Sequence, residues 1–205
     1  MAAKGGASFP SNFKGNSSEE VFGFTYPWSI HGELRNGATY ELAIGKKLNR
    51  WRVEGAINKS KTNLQDPIRS SNNWSWVTAP QRPNLEMTSY MLNLYRDIKF
   101  NPSHKLSPYI GVGAGISNVK FDASEIMANT QRFKYEAFSG NLFSYNFIGG
   151  FNYELSKRYS IFTEASLNKI NSFETKNVTV HPSYFPLEVD PSKSINIMTG
   201  VRLDF

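Results

Sequence analysis

The sequence lacks cysteine and long apolar runs, and each absence removes a class of protein. Without cysteine, the 205 residues cannot form a disulfide framework or a thiolate metal site. No stretch approaches the ~18 consecutive apolar residues of a membrane-spanning helix, and the mean hydropathy is only −0.44. A helical membrane protein is therefore excluded, and the length is that of one domain.

Histidine is also scarce, and the charged residues are dispersed. The three histidines, His31, His104 and His181, do not match the spacing of a metal site, so neither a metal ion nor a cofactor is predicted. The chain has 23 Lys and Arg against 17 Asp and Glu, a formal charge of +6. Because the basic residues form no stripe with interleaved aromatics, no nucleic-acid partner is predicted. They are expected to meet lipid headgroups or anionic polysaccharide.

Strict alternation of apolar and polar residues dominates what is present, and it is clearest in the final stretch, 194–205. One face carries Ile195, Ile197, Thr199, Val201, Leu203 and Phe205, and the other carries Asn196, Met198, Gly200, Arg202 and Asp204. Period-two alternation predicts a β-strand with one apolar face. A strand that ends on an apolar residue is unusual in water and ordinary in lipid.

The same alternation recurs in earlier runs at 38–45, 51–58, 89–95, 108–116, 143–154 and 159–168. The connections between runs are tight near 49, 101–107 and 156, and they are about twenty residues long at 61–84, 120–140 and 171–192. The long segments are predicted as loops, with a short helix at 124–138. Short and long connections alternate strictly, as in membrane barrels with short turns at one end and long loops at the other.

The final strand also carries a recognisable motif. Met198-x-Gly200-x-x-Leu203-x-Phe205 resembles the C-terminal signature of bacterial outer-membrane β-barrels, which usually have a polar residue where Met198 stands. The chain from 38 to 205 resembles the small OmpA/OmpX-like and surface-antigen or opacity-type families of porin-like barrels. This resemblance implies an all-β, antiparallel, up-and-down transmembrane β-barrel of about eight strands in the bacterial outer membrane. It also implies a monomer that contacts outer-membrane lipid and that the barrel-assembly machinery inserts.

An even strand number requires one more strand at the front of the chain. Residues 1–37 are predicted as an N-terminal loop with a remnant of this first strand, either at 7–9 or, in divergent form, at 22–30. The stretch from Met1 to Gly6 lacks the hydrophobic segment of a signal peptide, so a signal peptide is expected to be missing from this chain.

Charged residues fall on the face that a barrel turns inward, namely Glu41, Lys47, Arg52, Glu54, Glu154, Glu164, Arg202 and Asp204. The interior of an eight-stranded barrel is just wide enough for side chains to fill, so inward charges must pair. Glu54, Glu164 and Arg202, together with Arg52, are predicted to form an ion-pair network that plugs the lumen. An ion or proton pathway through the same groups is the alternative.

Three alternating glycines, Gly111, Gly113 and Gly115, have two interpretations. Their spacing departs from the phosphate-binding pattern G-x-G-x-x-G, and no crossover helix follows them. We expect them instead to leave room in the lumen for long side chains opposite.

These features predict a non-enzymatic barrel with a structural or surface-interaction role, antigen-like or adhesin-like, and no catalytic residues. Its long loops would meet any extracellular ligand, and their aromatics, such as Trp74 and Trp76, either anchor in the headgroup layer or project outward. The same barrel could also act as a minor pore. The alternatives are a soluble lipocalin-like binder of a hydrophobic ligand, which places its apolar residues inward, and a barrel-type envelope hydrolase.

Overall fold

The computed structural model describes residues 1–11, 13–21, 24–70, 77–78, 84–98, 105–121, 124–128, 131–135, 138–171, 173–180, 183–190 and 193–204. The regular structure in these ranges is entirely β. Within them, no helix has the length and apolar character needed to cross a membrane.

The strands in chain order are β1 (Ala2–Pro10), β2 (Phe13–Val21), β3 (Phe24–Leu34), β4 (Gly37–Leu48), β5 (Trp51–Ser70), β6 (Val77–Thr78), β7 (Asn84–Asp97), β8 (Leu106–Phe121), β9 (Ser124–Ala128), β10 (Gln131–Tyr135), β11 (Phe138–Glu154), β12 (Tyr159–Ile170), β13 (Phe173–Val180), β14 (Ser183–Asp190) and β15 (Ser194–Leu203).

Eight of these strands close into an antiparallel barrel. Its order around the ring is β4, β1, β15, β12, β11, β8, β7 and β5, and the pairing of β5 with β4 completes the circle. Each barrel strand therefore has a partner on both sides, so the barrel wall has no free edge. The predicted all-β, up-and-down barrel of eight strands is confirmed.

The strand that joins the two ends of the chain is β1, and here the sequence interpretation was wrong. We predicted a loop or a remnant of a strand in the first residues, whereas Ala2–Pro10 is a complete strand paired with β15 on one side and β4 on the other. Its outward face holds small residues such as Ala3, Gly5 and Ala7, so it shows little hydrophobic contrast. The barrel therefore begins at residue 2 and not at residue 38.

The long connections extend the barrel as additional strands, which corrects the prediction of irregular loops. β2 pairs with β3, β9 with β10, and β13 with β14, and these hairpins join β5 and β6 in one continuous sheet. β5 itself runs on to Ser70, and the region predicted to hold a short helix contains β9 and β10. Pairing with neighbouring hairpins overrides weak local β propensity.

The outer wall of the barrel is an apolar belt. Phe147 is 56% exposed and Phe151 is 53% exposed, whereas Glu54 and Arg202 on inward positions are 5% and 6% exposed. From Phe143 to Tyr153 the outward run of β11 covers about 33 Å at 3.3 Å per residue, which is about 25 Å of height at a tilt near 40°. That matches the apolar band of an outer-membrane barrel and contradicts the lipocalin-like alternative, which requires the opposite orientation.

The glycines of β8 lie opposite inward-facing side chains of β7. Gly111, Gly113 and Gly115 pair with Tyr95, Asn93 and Met91 of β7, respectively. A Cβ atom on Gly111 would lie 2.6 Å from Cδ1 of Tyr95, and one on Gly115 would lie 2.8 Å from the Met91 sulfur. The predicted steric role of the glycine stripe is confirmed, and it holds Tyr95 and Asn93 almost fully buried.

We predict that Gly111→Ala lowers the free energy of unfolding by about 1–3 kcal/mol, because the added methyl group overpacks against the buried Tyr95 ring. The measurement is equilibrium unfolding of the barrel in lipid vesicles. Gly149→Ala on β11 is the matched control, since a Cβ there has no heavy atom within 4 Å. An equal effect of the two substitutions would contradict the steric explanation.

Candidate functional site

The candidate site is the polar interior of the barrel. Three cations and four anions are buried there, each less than 10% exposed: Lys4, Arg52, Arg202, Glu41, Glu54, Asp97 and Glu164. Lys47, at the edge of the lumen, supplies a fourth cation through its 3.2 Å contact with Asp97. The ion pairs divide into two clusters at different heights, and each is positioned by a different set of strands.

The lower cluster lies towards the end of the barrel that carries the short turns. Arg52 of β5 contacts Glu54 at 2.6 Å and Asp97 of β7 at 3.2 Å. Arg202 of β15 reaches the same Glu54 oxygen at 3.6 Å and donates a hydrogen bond of 3.0 Å to Asn152. Every charge in this cluster therefore has an opposite charge within 4 Å.

Aromatic rings fill the space around the two arginines. The guanidinium of Arg52 lies 4.3 Å from the ring centroid of Tyr95 and 5.1 Å from that of Tyr109. The guanidinium of Arg202 lies 4.5 Å from the ring centroid of Phe162. Cation–π contacts are stronger when they are shielded from water, so the rings stabilise the arginines while excluding solvent from the lumen.

The middle cluster centres on Lys4 of β1. Its ammonium contacts Glu41 of β4, the neighbour of β1 on one side, at 2.8 Å. It also forms an ion pair with Glu164 of β12, which lies beyond β15 on the other side of β1. The Tyr109 hydroxyl donates a 2.8 Å hydrogen bond to Glu164, and the Asn58 amide donates one of 3.4 Å to Glu41. Lys4 thus connects two carboxylates across the lumen.

The structure places the four predicted network residues in the lumen but not in one network. Arg52, Glu54 and Arg202 lie together, whereas Glu164 pairs with Lys4 in the other cluster. Glu154 and Asp204, predicted to point inward, are exposed because they lie at the rim. Sequence reasoning missed Lys4, which lay in the segment assigned to a loop, and Asp97, although it continues the inward register of Asn93 and Tyr95.

The C-terminal motif has a structural explanation in part. Gly200 lies directly opposite Lys4 in the β1–β15 pairing, and a Cβ on this glycine would lie 2.6 Å from the Lys4 Cβ. Met198, at the usually polar position, faces inward and is buried, and Leu203 is half-buried near the rim. Phe205 lies outside the described residues, as do Trp74 and Trp76.

Above the two clusters, small polar residues line the lumen. The hydroxyls of Ser89, Ser117 and Ser144 form a chain with contacts of 2.7 and 2.9 Å, which continues from Ser144 to the sulfur of Met91. A cavity of about 20 Å³ beside these serines has room for about one water molecule. Together with the two clusters below them, these side chains occupy successive sections of the described lumen.

This arrangement has limited chemical capacity. Its carboxylates are engaged by lysine, arginine, tyrosine or asparagine, so each has a partner within the lumen. Among the residues that the structure describes, no group of three or more histidine, cysteine or acidic side chains is arranged to hold a metal ion.

Comparison with known proteins agrees with the apolar belt and the closed barrel. The model of the outer membrane protein beta-barrel domain matches residues 2–184. The chain belongs to this outer-membrane β-barrel family. It is accordingly a protein of the bacterial outer membrane. No protein with curated annotation matches the sequence significantly.

Solved outer-membrane barrels share this family fold at low sequence identity. OprG from Pseudomonas aeruginosa is 13% identical, with a TM-score of 0.60, over 98% of this chain and 94% of that chain. Neisserial surface protein A is 14% identical, with a TM-score of 0.50, over 100% and 99%. The protease OmpT from Escherichia coli is 8% identical, with a TM-score of 0.54, over 99% and 97%. These similarities concern the fold alone.

We predict that Lys4→Met lowers the free energy of unfolding by about 3–5 kcal/mol, because it leaves Glu41 and Glu164 buried without their cation. Lys61→Met is the matched control, since the Lys61–Glu86 pair has a similar distance, 3.1 Å, but is 55% and 37% exposed. Its loss is expected to cost at most about 1 kcal/mol. Unfolding of both variants in lipid vesicles makes the comparison, and equal costs would refute a structural role for the middle cluster.

Proposed function

We propose that this protein is a non-conducting, non-enzymatic membrane anchor that displays a β-sheet outside the cell for interaction with a surface or ligand. The single observation that supports this most strongly is the division of the molecule into a filled barrel and a sheet that continues beyond the apolar belt. Such a molecule acts through what it presents at the cell surface, as an antigen-like or adhesin-like protein does.

The filled lumen argues against transport as the main role. Arg52 and the rings of Tyr95 and Tyr109 occupy the lower section, and the Lys4 cluster crosses the section above it. An ion crossing this region would have to break buried ion pairs, and removing one partner of such a pair costs several kcal/mol. The display of a surface is therefore favoured over a role as a minor pore.

The extended sheet supports the interaction role. β2 and β3 form a hairpin that pairs with β14 on one side and β5 on the other, so residues from both halves of the chain form one sheet. The hairpins arise at the end of the barrel with the long connections, which faces outward in this family. Regular β-structure preorganises a surface and reduces the entropy lost on binding.

Insertion and oligomeric state follow from the same proposal. The barrel wall is closed by its own strands, so no partner is needed to complete it, and we expect a monomer. The motif Met198, Gly200, Leu203 and Phe205 is proposed as the segment that the barrel-assembly machinery recognises. The carboxylates of the lumen are proposed to be structural, which distinguishes this chain from an envelope hydrolase with a similar barrel.

Planar-bilayer recording tests the closed lumen. We predict that the folded wild-type protein shows no discrete conductance steps, because side chains fill the lumen across two successive sections. The double variant Tyr95→Ala/Tyr109→Ala, which removes two adjacent rings from the lower section and no charge, is expected to remain closed, because the Lys4 cluster still crosses the section above. Discrete steps from wild-type protein of verified fold would contradict the proposal.

Cysteine labelling on intact cells tests the display of the sheet. Since the native chain has no cysteine, single substitutions report without background. We predict that Ser17→Cys in β2 and Thr175→Cys in β13 react with a membrane-impermeant maleimide, because both strands lie beyond the membrane. Lys157→Cys, in a short turn, is the control and is expected to react only after the cells are opened. Labelling of Lys157→Cys but not of the other two variants on intact cells would show that the barrel has the opposite orientation in the membrane.

A further inference from the structure

Basic side chains lie on the outer wall of the barrel at the end that carries the short turns. Arg96, the outward residue near the end of β7, pairs across the sheet with Trp51 of β5 on one side and Ile110 of β8 on the other. Its guanidinium lies 5.3 Å from the Trp51 ring centroid. Lys46 on β4 is exposed next to outward Ile44, and Arg50 is exposed in the turn between β4 and β5.

These four residues, Lys46, Arg50, Trp51 and Arg96, form what we call the interfacial patch. Lys46 and Arg96 lie on strands two positions apart in the ring, with β5 between them. Lys46 pairs with Val53, which lies two residues along β5 from the Arg96 partner. Two strand spacings and this offset place the two backbones about 12 Å apart, so long flexible side chains from both sides can reach one group above Trp51. The patch therefore has the dimensions of a single lipid headgroup.

Among the residues that the structure describes, no acidic side chain forms an ion pair with the cations of the patch. The ion pairs of the described residues use Lys4, Lys47, Lys61, Arg52 and Arg202, and none includes Lys46, Arg50 or Arg96. The nearest acidic residue along β7, Asp97, is buried and already engaged by Arg52 and Lys47. Three unpaired positive charges thus surround an aromatic ring at the edge of an apolar belt.

We propose that the interfacial patch is a binding site for an anionic phospholipid of the inner leaflet, with Lys46, Arg50 and Arg96 around the phosphate and Trp51 beneath the glycerol region. The apolar neighbours favour a lipid over a soluble anion, since Ile44, Ile110 and Trp51 are exposed beside the cations. Tryptophan partitions to the headgroup level of bilayers, and basic residues near a membrane surface attract anionic lipids. This inference shares with the proposed function only the orientation of the short turns towards the inner leaflet, and it does not depend on the role of the displayed sheet.

Local quenching of Trp51 fluorescence tests the site. The protein carries Trp28→Phe, Trp74→Phe and Trp76→Phe, so that Trp51 is the single reporter, and is folded into phosphatidylcholine vesicles. Brominated phosphatidylglycerol or brominated phosphatidylcholine is then added at equal mole fractions. We expect phosphatidylglycerol to associate about fivefold more strongly near Trp51, and this preference should fall as salt is raised.

Charge-removing variants assign the preference to the patch. We expect the triple variant Lys46→Gln/Arg50→Gln/Arg96→Gln to associate with phosphatidylglycerol and phosphatidylcholine about equally, so that the ratio of the two associations falls to about one. Arg96→Lys, which keeps the charge, should retain most of the preference. The matched control, Lys59→Gln/Lys120→Gln/Lys193→Gln, removes three exposed charges near the other end and is expected to leave the ratio unchanged. The heat-dependent shift in electrophoretic mobility verifies that each variant is folded.

Three results would overturn the proposal. The first is equal quenching of Trp51 by both brominated lipids in the protein that keeps all three cations of the patch. A preference that survives the triple substitution places the anionic lipid elsewhere. Equal quenching together with binding of folded protein to purified peptidoglycan, lost in the triple variant, assigns the patch to the acidic cell wall instead.

Discussion

The narrowness of an eight-stranded ring determines most of this structure. A closed sheet of eight strands leaves an interior just wide enough for side chains, and here strand alternation turns polar residues into that interior. Lys4, Glu41, Glu54 and Arg202 are removed from water by the same geometry that places apolar side chains in lipid. Buried charges are tolerated only with partners and hydrogen bonds, so the ion pairs are a consequence of the closed barrel wall.

The same constraint explains the distribution of small residues. Tyr95 and Asn93 need space on the neighbouring strand, and Gly111 and Gly113 provide it. Gly200 does the same for Lys4 across the junction of the first and last strands. Size complementarity between adjacent inward positions therefore links the glycines to the charged clusters. A single methyl group added at such a glycine disturbs the packing of the neighbouring side chain and the cluster to which that side chain belongs.

The orientation of side chains could be predicted from the sequence because it depends only on local alternation. Outward Phe147 and Ile197 and inward Glu54 and Arg202 follow from a period of two once the apolar face is assigned to lipid. Ion-pair partners depend on pairings between distant strands, which alternation does not encode. Lys4 and Glu164 are 160 positions apart, and their contact requires the place of β1 between β4 and β15. Since the outward face of β1 carries alanine and glycine until Phe9, the hydrophobic contrast indicated only a short remnant of a strand.

The long connections illustrate a different limit of the sequence. Residues 61–70 and 124–135 show weak alternation, and yet β5 continues to Ser70 and β9 pairs with β10. A strand in such a region is stabilised by its neighbours, because each hairpin that extends above the membrane offers an unpaired edge to the next. β2 accordingly lies between β3 and β14 although β14 comes more than 150 residues later in the chain. The barrel thus acts as a template for the sheet above it, since it fixes the order in which the hairpins meet. Membrane anchoring and the surface recognition that we propose would for this reason be properties of one continuous β-structure and not of separable parts.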